Sequence, residues 1–313
     1  MPLDPQALLY LQIEQTADEE STLSLAEQRL LAKQAALLEA GDPEEVAGIE
    51  DRQIPGPLGP VPVRIYTPSG ADERLLPGLV YFHSGGWVFG SIEAHDPVCR
   101  ALSNAAQCRV VSVGYRLAPE HRFPAAPEDC YAATQWVASQ ARQLQIDAER
   151  IAVGGDSAGG NLAAAVALMA RDRQGPDLCY QIIIYGETDY YDSGAASYQT
   201  YAEGYGLTRA SMIYFWDTYL ERPEDGSHPY ASPLRAASFR DLPPALIITA
   251  EYDPVRDEAE LYARRLAEAG IAVKLSRYPG MIHSFFRMFA HFKQSRQVLE
   301  EVARALHQTS TSR

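Results

Sequence analysis

A chain of 313 residues is long enough to bury a large core, as one α/β domain with an added segment or as two small domains. Its formal net charge of −14 makes nucleic acids and anionic membranes poor partners, because both would repel the protein. The amino terminus has no basic stretch followed by an apolar one, and no apolar run reaches the length of a membrane span. We therefore expect a cytoplasmic protein with no membrane span and no nucleic-acid partner.

The amino-terminal segment is predicted to form two helices before any strand. Asp4 can cap the first helix, with Pro5 at its first helical position. A capping-box pattern from Ser24 to Glu27 opens the second helix, which is predicted to end before Gly41. Such an arm could be an interaction segment or a lid over a site, and the sequence leaves both open.

From residue 49 onward the pattern changes to strands that alternate with helices. Residues 49–54 and 61–66 flank a turn rich in proline and glycine, which predicts an antiparallel hairpin. The further strands are predicted at residues 79–83, 109–113, 151–154, 180–185, 245–250 and 273–277, and the helices between them at 98–106, 128–144, 161–171 and 254–269. This alternation predicts an α/β fold with a mainly parallel, doubly wound sheet.

The segment 187–243 interrupts the alternation, because it contains no clear strand. It has a predicted helix at 208–220, whose stripe of apolar and aromatic residues consists of Met212, Phe215, Trp216 and Tyr219. Ordinary core packing is the favoured interpretation for most of these side chains. A long insertion after a central strand is also where α/β enzymes place elements that cover the substrate.

Residues 155–159, Gly-Asp-Ser-Ala-Gly, lie between a predicted strand and a predicted helix. In that context the pattern G-x-S-x-G forms a nucleophile elbow. The turn forces Ser157 into a sparsely populated backbone conformation, so its neighbours must be small. Gly155, Ala158 and Gly159 meet this requirement. A glycine-rich turn with an incidental serine is the alternative, and the flanking elements favour the elbow.

A nucleophilic serine needs a base to take its proton and an acid to orient that base. His283 lies in a loop after a predicted strand, and Asp253 follows the strand predicted at 245–250. Either residue alone could be structural. The order serine, aspartate, histidine is the one expected of an α/β-hydrolase, so we predict a catalytic triad of Ser157, Asp253 and His283.

Three other acids lie close to these residues in the sequence. Asp257 and Glu258 follow Asp253 by about one helical turn and could compete for its role. We interpret Asp257 as a partner of Arg256 and Glu258 as a solvated helix residue. Asp156 is expected to bond within the elbow or to a nearby loop.

The run His-Ser-Gly-Gly-Trp at residues 83–87 follows a predicted strand. Two adjacent glycines let backbone N–H groups turn towards a reacting carbonyl oxygen without obstruction by side chains. The N–H groups of Gly85, Gly86 and Ala158 are therefore predicted to form the oxyanion hole. His83 is expected to hold this loop by hydrogen bonding rather than to act in the triad.

These motifs resemble those of the hormone-sensitive-lipase family of bacterial carboxylesterases (family IV), a group of α/β-hydrolases. The resemblance runs from about residue 75 to residue 283. Its motifs are the oxyanion run at His83, Tyr-Arg-Leu-Ala-Pro-Glu at 115–120, the elbow at 155–159, Tyr-Ala-Ser-Pro-Leu at 230–234, Asp-Pro-Val-Arg-Asp-Glu at 253–258, and His283.

The resemblance implies an α/β-hydrolase fold, with a mainly parallel eight-stranded sheet flanked by helices and covered by a helical cap. The implied parts are an amino-terminal cap segment at 1–48, the first part of the core at 49–186, an insertion that contributes cap helices at 187–243, and the second part of the core at 244–313. It also implies the hydrolysis of small carboxylic esters with short to medium chains, no cofactor or metal, and a homodimer, for which the strand at 273–277 is a candidate edge.

Two positions depart from the family pattern. Ser84 stands where the oxyanion loop usually has glycine, and the two glycines that would donate are still present. Gly186 stands where proline usually follows Tyr185, and the next residue, Glu187, adds a carboxylate that the sequence does not place relative to the pocket.

The same residues permit other functions. A triad with one acyl-enzyme intermediate would also serve a hydrolase or acyltransferase acting on an amide, thioester or carbonate. A non-catalytic ligand-binding protein on this scaffold is the third alternative, and the presence of His283 argues against it. The aromatic residues predicted to border the substrate pocket and to limit acyl length are Trp87, Phe89, Tyr205, Phe215 and Trp216.

Overall fold

A computed structural model describes residues 2–14, 23–71 and 74–308 of the chain. The helices in these ranges are α1 (Pro5–Glu14), α2 (Leu25–Ala40), α3 (Asp96–Ala106), α4 (Ala125–Gln140), α5 (Ala158–Asp172), α6 (Ser197–Thr200), α7 (Arg209–Tyr219), α8 (Arg256–Glu268) and α9 (Gln294–Gln308). The strands are β1 (Gly48–Gly56), β2 (Gly59–Thr67), β3 (Leu76–Phe82), β4 (Arg109–Val113), β5 (Ile146–Asp156), β6 (Tyr180–Ile184), β7 (Ala245–Tyr252) and β8 (Val273–Ile282).

The eight strands described form one sheet in the order β1-β2-β4-β3-β5-β6-β7-β8. The first two form the predicted antiparallel hairpin, and β2 also pairs antiparallel with β4. All remaining neighbours are parallel. The predicted mainly parallel eight-stranded sheet is therefore confirmed. Strand β8 lies at the edge of the sheet, as expected, and the homodimer stays a prediction.

Both faces of the central strands are covered by helices. In β3, Val80 belongs to the core that includes α4 and α5, whereas Leu79 and Tyr81 belong to the core that includes α3 and α9. Side chains of a strand alternate between faces, so an all-apolar strand must be covered on both sides. Because β5, β6, β7 and β8 pair in parallel, their carboxyl ends lie at one edge of the sheet, and the predicted site residues follow β5, β7 and β8 there.

The two amino-terminal helices form where the capping residues predict them. The Asp4 carboxylate accepts a hydrogen bond from Gln6 N in the first turn of α1. Ser24 and Glu27 form the reciprocal capping box of α2, and Gly41 ends that helix with a φ of 71°. Helix α2 is tied to the core by Arg29, whose guanidinium forms a bidentate ion pair with Glu120 and also donates to two backbone carbonyls.

The insertion at 187–243 contains α6, α7 and two short 3-10 helices, Pro223–Ser227 and Pro233–Arg235. Three members of the predicted stripe on α7, Met212, Trp216 and Tyr219, are buried in the core, as expected. Trp87 stacks on Tyr219 with 4.3 Å between the ring centroids. In the described ranges, no helix combines the length and apolarity needed to cross a membrane.

An ion pair between a partly buried arginine and a buried aspartate holds the segment that follows β4. Arg116 Nε and Nη2 each donate to the Asp129 carboxylate of α4 at 2.8 Å, and the Arg116 backbone N–H donates to it at 3.0 Å. The adjacent Tyr115 hydroxyl donates to the His83 carbonyl at 2.7 Å. The pair therefore supports, through its neighbour, the loop that follows β3.

We expect Asp129→Ala to lower the free energy of unfolding by about 2 kcal/mol, because it leaves a partly buried guanidinium and the Arg116 backbone N–H without their acceptor. Urea unfolding is the measurement. The control is Glu50→Ala, which breaks an exposed pair with Arg52 and should cost less than about 1 kcal/mol. Equal losses in the two variants would contradict this account of the Arg116 pair.

Candidate active site

The turn between β5 and α5 presents Ser157. Its backbone has φ 54° and ψ −125°, in the region that side-chain-bearing residues rarely adopt. The turn leaves no space at the flanking glycines. A Cβ on Gly159 would lie 1.9 Å from the Phe82 carbonyl oxygen, and one on Gly155 would lie 2.4 Å from the same atom. The serine is therefore placed at the end of β5 in close contact with the end of β3.

The structure brings Ser157, His283 and Asp253 together. His283 Nε2 lies 2.9 Å from Ser157 Oγ, and His283 Nδ1 lies 2.7 Å from Asp253 Oδ2. All three side chains are buried. Asp253 also accepts a hydrogen bond from the backbone N–H of Val255, which orients its carboxylate. These contacts form a continuous hydrogen-bonded line from carboxylate to ring to hydroxyl.

The electrostatics of this line favour a ring that can take a proton. Burial lowers the pKa of His283, but the charge and hydrogen bond of Asp253 outweigh burial and hold the pKa above its usual value. When Nδ1–H donates to the carboxylate, Nε2 is left as an acceptor facing the serine hydroxyl. The arrangement can therefore pass the serine proton to the ring and stabilise the imidazolium that forms.

The neighbouring acids have different environments. Asp257 pairs with Arg256 at 2.8 Å, as expected. The interpretation of Glu258 as a solvated residue is wrong, because it is buried and accepts hydrogen bonds from the backbone N–H groups of Thr188 and Asp189. Burial raises the pKa of Glu258 well above its usual value. A helical position alone did not reveal that α8 turns this side chain inward.

Asp156 is fully buried and bonds to a strand rather than within the elbow. Its Oδ1 accepts a hydrogen bond from the Tyr81 hydroxyl at 2.6 Å, and its Oδ2 lies 3.5 Å from the Tyr185 hydroxyl. Tyr185, in the loop after β6, is therefore the expected nearby-loop partner, whereas the shorter hydrogen bond comes from β3.

The loop after β3 has the backbone shape expected of an oxyanion hole. Gly85 and Gly86 have φ values of 120° and 58°, which favour glycine. A Cβ on Gly86 would lie 2.4 Å from the ring of Phe215. Ser84, the departure from the family pattern, places its hydroxyl 2.8 Å from His95 Nε2. The loop is thereby fastened to the start of α3.

His83 holds the same loop from inside. Its Nδ1 lies 2.8 Å from the Ser84 carbonyl oxygen, and its ring stacks on Tyr115 with 4.2 Å between the centroids. Burial lowers the pKa of both His83 and His95 to about 3, so both rings are neutral near neutral pH. These contacts fit the structural use expected of His83.

A cavity of about 340 Å³ opens above the serine. Ser157, His283, Gly85 and Gly86 line it, and Ala158 begins the helix just behind Ser157. Of the five predicted pocket residues, Phe89 and Phe215 line the cavity. The other three, Trp87, Tyr205 and Trp216, do not. Both tryptophans are fully buried in the core, and Tyr205 packs against Tyr201 and Tyr252.

Comparison with known proteins gives the family. A model of the alpha/beta hydrolase fold matches residues 79–287. The chain belongs to the alpha/beta hydrolase family. It is 42% identical over 253 residues to a carboxylic ester hydrolase of Mycobacterium tuberculosis, a match that covers 79% of this chain and 66% of that protein. It is 37% identical over 317 residues to an ethyl acetate hydrolase of Pseudomonas putida, covering 98% of this chain and 99% of that protein.

A solved structure supports the same assignment. The hyperthermophilic esterase of the archaeon Pyrobaculum calidifontis superposes with a TM-score of 0.92 at 42% identity, over 100% of both chains. The predicted family, fold and enzyme class, a carboxylic ester hydrolase of the hormone-sensitive-lipase type, are confirmed by these similarities. The individual catalytic roles stay predictions that the geometry makes specific.

This alpha/beta hydrolase carries cationic side chains in its cavity that the sequence analysis missed. Lys33 of α2 and Arg287, after β8, both line the cavity. Arg287 forms an ion pair with Glu39 of α2, and Glu39 also accepts a hydrogen bond from the Tyr10 hydroxyl of α1. Arg287 lies four residues after His283, and this short spacing was the one feature of the sequence that indicated a position near the site. Its link to the amino-terminal helices depends on the fold.

The sequence analysis also failed to place Glu187. Its Oε1 lies 3.0 Å from Ser157 Oγ, and Asn161 Nδ2 donates to its backbone carbonyl at 2.8 Å. Burial raises the pKa of this carboxyl to about 7. A group of at least three His, Cys, Asp or Glu side chains arranged to hold a metal ion is not found within residues 2–14, 23–71 and 74–308.

The tight contact at the elbow predicts that Gly159→Ala will lower both stability and activity. We expect a loss of about 2 kcal/mol in the free energy of unfolding, since the added methyl overlaps the end of β3. Gly48→Ala is the control, because its Cβ would meet only ordinary contacts beside Thr67. Thermal unfolding and ester turnover are the measurements, and an unchanged Gly159→Ala protein would contradict the packing described.

Proposed function

We propose that the protein hydrolyses carboxylic esters with short to medium acyl chains through an acyl-enzyme on Ser157. The observation that carries the proposal is the hydrogen-bonded line from Asp253 through His283 to Ser157, at the base of a cavity. The enzyme class, carboxylic ester hydrolase, follows from the family. The identity of the nucleophile, the base and the acid, and the size of the substrate, are the parts proposed.

In the first step, Ser157 Oγ attacks the ester carbonyl carbon while His283 Nε2 takes the hydroxyl proton. Asp253 keeps Nδ1 protonated and stabilises the imidazolium. The carbonyl oxygen gains negative charge and is bound by the backbone N–H groups of Gly85, Gly86 and Ala158. One such donor typically contributes on the order of 3 kcal/mol to the transition state.

In the second step, the tetrahedral intermediate collapses and the alcohol leaves with the proton from His283. A water molecule then gives a proton to the same ring and attacks the acyl carbon. The C–Oγ bond breaks, and Ser157 recovers its hydrogen from His283. The carboxylic acid leaves, so the protein ends each cycle in its starting protonation state.

The cap assignment is also proposed. Tyr10, Ala32, Lys33 and Ala36 of α1 and α2 line the cavity, and so do Leu207, Ser211 and Phe215 of the insertion. Segments 1–48 and 187–243 therefore both contribute walls to the site, which supports the division of the chain into a core and a two-part cap. Ester groups would be bound between the cap and the carboxyl end of the sheet.

Replacement of Ser157 tests the proposal. Ser157→Ala should fold like the wild type and lose turnover of para-nitrophenyl butyrate, because alanine has no hydroxyl oxygen to which the acyl group can be transferred. An organophosphonate should label the wild type once, at Ser157, and should not label the variant. Retained turnover would remove Ser157 from the mechanism. Absent labelling together with ligand binding would favour the non-catalytic alternative, and a preference for thioesters or amides would favour the other acyl bonds.

The aromatic wall predicts the chain-length preference. Phe215 and Phe89 meet edge to face across 6.1 Å at the cavity, so Phe215→Ala should lengthen the acyl pocket. We expect the ratio of kcat/KM for the octanoate to that for the acetate ester to rise by about tenfold, the effect of accommodating a few buried methylenes. The control is Tyr214→Ala, whose side chain is exposed beside it. Equal ratios in both variants would exclude Phe215 as a determinant of length.

A further inference from the structure

Glu187 is the second group in contact with the proposed nucleophile. Ser157 Oγ lies between His283 Nε2, at 2.9 Å, and Glu187 Oε1, at 3.0 Å. The Glu187 side chain is only 1% exposed, and its second oxygen, Oε2, has no hydrogen-bond partner among the residues described. The proposed two-step mechanism does not use this carboxyl, although it touches a reacting atom.

One hydroxyl hydrogen cannot serve both neighbours. If Glu187 is ionised, the serine hydroxyl donates to the carboxylate, and its proton is directed away from His283. If Glu187 is protonated, its own O–H donates to Ser157 Oγ, and the serine hydrogen is free to donate to His283 Nε2. Only the second arrangement presents the serine proton to its base.

The surroundings of Glu187 favour the protonated acid. Burial raises the pKa of its carboxyl to about 7, although His283 and the hydrogen bonds to the carboxyl, that of Ser157 included, lower it, so the protonated acid is populated up to about neutral pH. An oxygen buried without a partner is less costly on a neutral acid than on a carboxylate. The titratable groups that face Glu187 from the surrounding elements are Ser157 and His283, Asp253, Glu258 of α8, Tyr198 of α6 and Tyr115.

We propose, building on the acyl-transfer function above, that Glu187 is a fourth catalytic residue, whose protonated carboxyl donates a hydrogen bond to Ser157 Oγ and directs the serine hydrogen to His283. The Glu187 proton is not consumed. During attack the serine proton moves to His283 Nε2 while the Oγ–carbon bond forms. When the acyl-enzyme breaks down, the electron pair of that bond returns to Oγ, and Oγ takes a proton back from His283.

The donated hydrogen bond contributes most when Oγ is the leaving group. At that moment negative charge develops on Oγ, and a neutral donor at 3.0 Å stabilises it. An ionised Glu187 would oppose the same charge. Loss of the Glu187 proton therefore has the same effect on both halves of the cycle, because it misdirects the serine hydrogen and destabilises charge on Oγ.

The sign of the pH effect follows from these contacts. As pH rises through the pKa of Glu187, the productive form is lost. The carboxylate that forms also raises the pKa of His283, which keeps the ring protonated to higher pH. The two groups titrate as a coupled pair, so the pH profile of kcat/KM for the wild type should be bell-shaped. On its alkaline limb, kcat/KM should decrease by up to about tenfold per pH unit.

The experiment compares the pH profiles of the wild type, Glu187→Gln and Glu187→Ala from about pH 5 to about pH 10. Para-nitrophenyl butyrate is read at the isosbestic wavelength of nitrophenol, and active enzyme is counted by phosphonate titration. The glutamine amide donates to Oγ at every pH, so Glu187→Gln should lose the alkaline limb and keep only the acidic limb that protonation of His283 produces. Alanine has no donor, so Glu187→Ala should turn over about tenfold more slowly than Glu187→Gln at the optimum.

The matched control is Glu258→Gln, which makes the same change in a buried acid whose carboxylate accepts from the backbone of Thr188 and Asp189 instead of contacting Ser157. It should keep the bell-shaped wild-type profile. Thermal unfolding of each variant separates misfolding from loss of function. A wild-type profile without an alkaline limb overturns the proposal even if no variant folds, and so does a Glu187→Gln profile that matches the wild type. Equal rates for Gln and Ala exclude the donated hydrogen bond.

The two proposals fail in different ways. If Ser157→Ala retains turnover, or is still labelled by the phosphonate, the proposed acyl transfer through Ser157 is wrong. The proposed role of Glu187 is then wrong as well. If Ser157→Ala is inactive while Glu187→Gln behaves as the wild type, the triad stands, and Glu187 is only a buried neighbour of the nucleophile.

Discussion

The left-handed backbone conformation of Ser157 is the constraint on which the rest of the site depends. Such a conformation costs a residue with a side chain about 1–3 kcal/mol, so the surroundings must hold it in place. Here Ser157 N–H donates to the Ile184 carbonyl of β6, and its own carbonyl accepts from Asn161 in α5. The close approach of Gly159 to β3 excludes any larger residue. The buried parallel sheet supplies the rigidity that keeps the hydroxyl in line with His283.

The acids around this serine lie in different electrostatic environments. Asp253 Oδ2 lies 2.7 Å from His283 Nδ1. Glu187 and Glu258 are each 1% exposed, and burial raises the pKa values of both carboxyls. One cluster of carboxyl groups can thus contain both a charge that stabilises imidazolium and an acid that keeps its proton.

Helix α2 is connected to the loops on both sides of the cavity. Arg29 of α2 binds Glu120 and the carbonyl oxygens of Val88 and Ala118, next to the oxyanion loop. On the opposite side, Arg287 joins the loop of His283 to Glu39 at the end of α2. Helix α2 therefore bridges both sides of the site. Its position determines one wall of the cavity and supports the two loops that it contacts, the one after β3 and the one after β8.

The sequence by itself determined the elements that local patterns encode, because strand periodicity, helix caps and the small residues of an elbow all act over a few positions. It determined the sheet, the serine turn and the order of Ser157, Asp253 and His283. Tertiary structure decided what depends on segments distant in the chain: Glu187 against Ser157, Glu258 facing inward, and both Trp87 and Trp216 in the core instead of the cavity. Sequence spacing does not show which face of a strand or helix a side chain will occupy after packing, and in this protein packing places the Glu187 carboxyl beside the Ser157 hydroxyl.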